Sequence, residues 1–186
     1  MACVALIGAM AVTGFVQVNN KAQAFEAAVD AQRDREAAYA CEVPYIAPEP
    51  EKPVLYDVPL SEYVQMHLIS TCESYDIDPE IVLAMIERES QFTADIVGDN
   101  GQSFGLLQIQ PRWHYQRMSD LGCTDLLNAE QNITVAVDIL AEQVERYDGD
   151  ISAALVAYNQ GSYKGTVTAY ALDVLEKAEN CVKVEQ

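Results

Sequence analysis

Beyond Leu60 the apolar positions fall repeatedly into helical spacing. Val64, Leu68, Cys72 and Tyr75 recur at steps of four, four and three behind Ser61, a residue type that caps helix N-termini. In the next stretch Ile81, Met85 and Glu89 lie four apart, and Asp78-Pro79 opens it as an N-cap followed by proline at the first helical position. Ile133, Val137, Leu140, Val144 and Tyr147 follow at steps of four, three, four and three, the clearest amphipathic face in the chain. Asp150 then caps an apolar run from Ile151 to Asn159 that Gly161 ends, and a last helix covers roughly Thr166 to Glu179. Between these elements, Phe92 to Gly105 is rich in glycine and short polar residues and reads as a loop. Leu106 to Pro111 is a short apolar segment closed by proline, and a less regular stretch runs through Trp113 and Cys123. No hairpin or βαβ pattern is visible. The expectation is a mainly α domain with at most a small irregular or β-like piece at 96–109.

The N-terminal third reads differently. Ala2 to Val18 is nearly all apolar or small and carries no charge, and Ala22-Gln23-Ala24 fits a small-x-small cleavage site. Residues 1–24 are therefore expected to act as an export signal or a membrane anchor. The departure is the missing basic region ahead of the apolar run. Phe25 to Tyr39 is polar, alanine-rich and helix-forming, and Pro44, Pro48, Pro50, Pro53 and Pro59 then make a semi-rigid spacer. This places a spacer at 25–59, a folded domain at 60–180 and a tail at 181–186.

Composition narrows the function classes. Half of the 186 residues are hydrophobic, enough for one sizeable core. There are 29 acidic residues against 11 basic ones, a net charge of −18, spread along the chain. That excludes a basic footprint for nucleic acid and simple adhesion to anionic lipid or wall polymer. Cys3 falls in the apolar segment, leaving Cys41, Cys72, Cys123 and Cys181, an even number that suits an oxidising compartment outside the cytoplasm. Cys72 on the core-facing stripe is expected to pair with Cys123 in the irregular stretch, and Cys41 with Cys181. A zinc site is the weaker reading, because no CxxC spacing exists and His67 and His114 have no ligand-like neighbours. No metal or cofactor is expected.

Glu89 is the chemical focus. It continues the face of Ile81 and Met85, while Glu87 and Arg88 point elsewhere. A carboxyl at the end of an apolar stripe is hard to ionise, and a raised pKa suits a general acid. The plain alternative is a surface glutamate at a helix end.

Four separated segments bear on that choice: Glu89-Ser90, Gly105-Leu106-Leu107-Gln108, Asn132-Ile133 and Ala157-Tyr158-Asn159-Gln160-Gly161. In order and spacing they resemble the catalytic domain of the soluble lytic transglycosylase family, which has a lysozyme-like fold. That family's pattern is Glu-Ser, Gly-Leu-Met-Gln, Asn-Ile and Ala-Tyr-Asn-Ala-Gly. The resemblance covers about residues 62–178. It departs at Ala136-Val137, where the family usually has a glycine, and at Gln160, which replaces a common alanine. The resemblance implies cleavage of the β-1,4 bond between N-acetylmuramic acid and N-acetylglucosamine in peptidoglycan, with a 1,6-anhydro product. Glu89 would act first as acid and then as base, helped by the substrate's N-acetyl oxygen, outside the two-carboxylate scheme.

Around Glu89 each residue has a functional and a plain reading. Asp95 and Asp99 are the candidates for a second carboxylate, against ordinary loop aspartates. Gln108 offers an amide to sugar hydroxyls or caps a turn, and Tyr158 bonds Glu89 or an acetamide, or simply packs. Asn159 reads more as a helix-end residue, and Ser90 and Ser103 add small polar contacts. Tyr170 resembles a further family tyrosine near the cleft. Trp113 is assigned to the core, and Arg112 and His114 to the surface. The expected partner is the peptidoglycan glycan strand, with membrane anchoring through 1–24 and service to a larger wall-crossing apparatus as further readings. The alternatives are a goose-type lysozyme hydrolysing the same bond and a non-catalytic glycan-binding scaffold.

Overall fold

The computed structural model describes residues 26–35 and 54–184. The expected signal or anchor at 1–24, most of the proline-rich spacer and Cys41 lie outside the described residues. Residues 26–35 form an exposed helix, α1, inside the polar stretch expected to be helical. Residues 52–186 make a separate compact unit. Among the described residues no helix is long and apolar enough to cross a membrane.

That unit is helical, as the periodicity predicts. Ser61 caps α2 (Glu62–Ser74) by accepting a bond from the Val64 N–H, and Pro79 starts α3 (Pro79–Ser90). Asp78 occupies the N-cap of α3 without a side-chain bond to it. The long helix α5 (Ala129–Arg146) is capped by Asn128, and α6 (Ile151–Gln160) by Asp150, whose Oδ1 accepts from Ala153 N at 3.0 Å. Gly161 ends α6 with φ of 81°, a left-handed turn that glycine takes without strain. The last helix, α7 (Ala169–Glu179), starts three residues later than expected because Thr168, not an earlier residue, caps it.

Two pieces depart from the pattern. The irregular stretch holds a 3-10 turn (Pro111–Trp113) and a short helix α4 (Tyr115–Asp120), which has too few apolar positions to declare itself in sequence. Leu55–Tyr56 (β1) and Lys183–Val184 (β4) pair as antiparallel strands, so ordered backbone runs past both ends of 60–180. The β-like piece is a hairpin of β2 (Val97–Gly98) and β3 (Ser103–Phe104), followed by a bridge from Phe104 to Ile109.

The core lies where α2, α3, α5 and α6 meet. Leu68, Met85, Ile86, Ile133, Leu140 and Leu155 are all essentially inaccessible. α5 packs on α2 and α6, and α7 covers α3 and α6. Tyr75 Oη donates to Asp138 Oδ1 at 3.0 Å, joining α2 to α5.

The cysteine expectation is corrected. Cys72, Cys123 and Cys181 are free thiols. Cys72 faces the core beside the start of α3, and burial first, then the nearby Glu80 and Asp78 charges, push its thiol up to about 12. Cys123 sits instead against α5, its Sγ 3.7 Å from the Gln131 carbonyl. Both thiols pack in the core, but each against different partners. Cys181 packs partly buried against the core, and its expected mate lies outside the described residues.

One buried side chain ties the hairpin region to α5. Asn132 Oδ1 accepts from Leu107 N at 2.9 Å, and its Nδ2 donates to Phe104 O and Leu126 O, each at 2.9 Å. Backbone approaches so closely that a Cβ on Gly105 would lie 2.1 Å from Leu126 O and 2.4 Å from Asn132 Nδ2. Asn132→Ala strands these buried groups and is expected to lower unfolding free energy by about 3 kcal/mol, read from urea denaturation. A loss below about 1 kcal/mol would show that water or a local shift replaces the amide.

Candidate active site

Glu89 emerges at the C-terminal end of α3, one step past the buried Ile81–Met85 stripe. It faces a cleft of about 890 Å3. One wall is the hairpin and the loop after it, with Gly98, Asp99, Ser103, Leu107, Gln108 and Gln110. The other is the α5 face and the C-terminal end of α6, with Glu142, Arg146, Tyr158 and Asn159. Glu89 is half-buried, and burial is the largest influence on its carboxyl, holding the pKa above the ordinary carboxylate range. The Tyr170 hydroxyl and the Arg88 charge pull it down, and the Asp99 charge pushes it up. Its place in the last turn of α3, at the negative end of the helix dipole, acts in the same direction as burial.

Two tyrosines enclose the carboxyl. Tyr158 lines the cleft, but its hydroxyl donates to Leu107 O at 3.0 Å rather than to Glu89. Tyr170 is buried beside Glu89 on α7, and both burial and the Glu89 charge raise its pKa. Its hydroxyl has no hydrogen-bond partner of ordinary geometry among the described residues, so the pull on Glu89 is weaker than a full bond.

Gln108 has φ of 46° and points its amide back into the loop, with Nε2 donating to Gly105 O at 2.9 Å. Its Oε1 lies against Gly98, where a Cβ would come within 2.1 Å of it. The residue thus both lines the cleft and fixes the loop. Ser103 and Asn159 line the cleft as well, Asn159 exposed.

Three assignments change. Ser90 is buried with its Oγ donating to Ile86 O at 3.1 Å, because one residue beyond Glu89 the helix has turned toward the core. It is not a cleft contact. Trp113 is not a core residue; it is 72% exposed and lines the cleft, since the turn after Pro111 carries it outward. His114 also lines the cleft, and its Nδ1 accepts from Arg117 Nη1 at 3.0 Å. Burial and the Arg117 charge lower its pKa.

Neither aspartate is placed as a free second carboxylate. Asp95 is exposed in the loop and is not among the cleft-lining residues. Asp99 lines the cleft but accepts from Ser103 Oγ, and from Gln110 Nε2 at 3.2 Å. The remaining cleft carboxylate, Glu142, is paired with Arg117 and Arg146. This charged wall was not anticipated. Its trace in the sequence is Asp138, Glu142 and Arg146, four apart on the face of α5 opposite the apolar stripe. Among the described residues no cluster of His, Cys, Asp and Glu is arranged to hold a metal ion.

The profile of the Transglycosylase SLT domain family matches residues 67–171, more than half of the chain and all of the site just described. The chain belongs to that family. The sequence is also 31% identical over 128 residues to lysozyme g of Takifugu rubripes, covering 56% of this chain and 66% of that protein. It is 29% identical over 106 residues to lysozyme g of Casuarius casuarius, covering 50% and 52%. The chain thus spans between half and two thirds of these curated relatives. The crystal structure of an inactive variant of lytic transglycosylase Slt from Pseudomonas aeruginosa superposes with a TM-score of 0.55. The match covers 64% of this chain and 24% of that one at 19% identity, a likeness of fold. The SLT-domain fold thus accounts for the helical unit and for the helix end that presents Glu89.

The sign of the Glu89 shift gives a stability test. The folded chain holds the Glu89 proton more tightly than the unfolded chain, so stability falls as pH rises from the unfolded pKa through the folded one. Glu89→Gln removes that loss. Its melting temperature is expected to exceed wild type near about pH 7 and to match it near about pH 3.5, where both side chains are neutral. A gap between the melting curves that does not widen with pH would contradict the raised pKa.

Proposed function

We propose that this chain is a peptidoglycan lytic transglycosylase with Glu89 as its acid and base. One observation carries the reading: of the three cleft carboxyls, Asp99 and Glu142 are committed to neighbours, while Glu89 is half-buried with a raised pKa. A carboxyl that holds its proton more tightly than usual, in a cleft of about 890 Å3, supports protonation of a glycosidic oxygen. As the bond to the leaving sugar breaks, the substrate's N-acetyl oxygen stabilises the positive C1. The resulting Glu89 carboxylate then takes the proton of the C6 hydroxyl, whose oxygen closes on C1 to give the 1,6-anhydro ring. Water is neither consumed nor added, and no second carboxylate is required.

The lysozyme g relatives favour a second reading, in which water replaces the C6 hydroxyl. The first step is the same. Asp99, bonded to Ser103 and Gln110, is not set aside as a dedicated second base, which is consistent with the intramolecular route; the Glu89 carboxylate could serve either the C6 hydroxyl or water. A non-catalytic scaffold would not need a carboxyl held in the cleft with a raised pKa. The proposed polymer lies outside the cytoplasm, and residues 1–24 are proposed to take the domain there as a cleaved signal or an anchor, in a bacterial envelope. Service to a wall-crossing apparatus remains within that proposal.

Glu89→Gln keeps the side-chain shape and removes the titrating proton, so peptidoglycan cleavage is expected to fall by at least about 10²–10⁴-fold. Asp99→Asn is expected to lose far less; an equal loss would restore a two-carboxylate mechanism. Wild-type cleavage is expected to decline as pH rises through the Glu89 pKa. Mass analysis of the digest decides the product: 1,6-anhydro ends support the transglycosylase, and reducing ends establish the hydrolase instead.

A further inference from the structure

We propose that Trp113 is a stacking platform for a sugar ring of the glycan, at a subsite away from the bond beside Glu89; this rests on the glycan-cleaving reading above. Trp113 presents an indole, 72% exposed, on the wall of the cleft, where a ligand that covered it would recover apolar surface from water. The ring is held in place. The Arg112 Cζ lies over it, 5.1 Å from the centroid. Arg112 in turn donates to Gln102 Oε1, and to Gln110 Oε1 at 2.8 Å. Gln110 Nε2 continues the chain to Ser103 Oγ at 3.1 Å and Asp99 Oδ2 at 3.2 Å. A hydrogen-bonded line therefore runs from the hairpin wall to the guanidinium on one face of the indole, leaving the ring's remaining surface open.

The chemistry of the surroundings selects the ligand class. A pyranose ring has one face of weakly polarised C–H groups and a rim of hydroxyl and amide groups. The electron-rich face of an aromatic ring suits the first. Gln108, Gln110, Asn159 and Gln160 line the same cleft and suit the second. A protein or lipid partner would call for a broad apolar patch, whereas here one highly exposed indole stands among mostly polar cleft residues.

Trp113 is the single tryptophan in the chain, so its fluorescence reads this contact directly. The test uses the full chain carrying Glu89→Gln, which leaves the sugar uncut, titrated with chitohexaose, a β-1,4-linked N-acetylglucosamine hexamer. Saturable binding by calorimetry with a matching blue shift of Trp113 emission is expected. Adding Trp113→Ala is expected to weaken binding about tenfold, while Trp113→Phe, which keeps a flat ring, retains most of it. Circular dichroism checks that each variant is folded. Absent chitohexaose binding, unchanged emission at calorimetric saturation, or undiminished binding by the Trp113→Ala variant would overturn the platform. Wild-type digestion of peptidoglycan separates the two levels. Cleavage with any of those results refutes the platform alone; no cleavage together with no chitohexaose binding refutes the functional reading and the platform with it.

Discussion

The cleft depends on one buried amide. Asn132 sits on the core face of α5 and reaches Leu107, Phe104 and Leu126, three backbone groups of a segment with little regular structure of its own. Without such a partner those groups would be buried and unsatisfied, or the segment would lift into water. Because Leu107 is pinned through its N–H, its carbonyl is held where Tyr158 on α6 can bond it. A single residue of the loop thereby joins two helices. Gln108 follows at a positive φ, and Gly105 is required where the backbone meets Asn132. The wall facing Glu89 is rigid for this reason, although it belongs to a loop.

Around that wall the three cleft carboxyls are treated in different ways. Glu142 is neutralised by two arginines, and Asp99 is hydrogen-bonded on the hairpin. Glu89 is enclosed by Tyr158 and Tyr170 and keeps only weak compensation for its burial. Environment alone separates their chemistry, a pattern that marks acid and base assignments in many sites. The chain's overall charge of −18 acts more weakly, since salt screens exposed charges beyond about 8 Å at physiological ionic strength.

Much of this was legible in the sequence, and the reasons are physical. Helical periodicity placed α2, α3, α5 and α6, and Ser61, Asp150 and Gly161 marked their ends through chemistry that local sequence carries. The same periodicity puts Glu89 at the end of the apolar stripe of α3. Ser90 was misjudged because adjacency in sequence was read as adjacency in the site, although neighbouring helical residues point about 100° apart. Trp113 was given to the core because large aromatics usually go there, and nothing local shows that a turn after Pro111 faces outward. Cysteine parity counts thiols without locating them, and the partners that Cys72 and Cys123 pack against are set by tertiary packing. The Arg117–Glu142–Arg146 wall joins α4 to α5, and no spacing rule links elements that meet only in the fold.

The hairpin network gives Asp99 a structural role. Its Oδ2 gathers Ser103 and Gln110, and Gln110 passes the order on to Arg112 above Trp113. Both bonds converge on the same oxygen, so Asp99 holds Ser103 and Gln110 together at one point of the hairpin wall. The same bonds thus fix the aromatic at the cleft wall, and a few side chains on and just after one short hairpin link Asp99 to Trp113. That economy follows from the fold. The helices hold Glu89 at a fixed helix end, while the hairpin and the loop after it, anchored by Asn132, and the end of α6 bring polar side chains to the cleft.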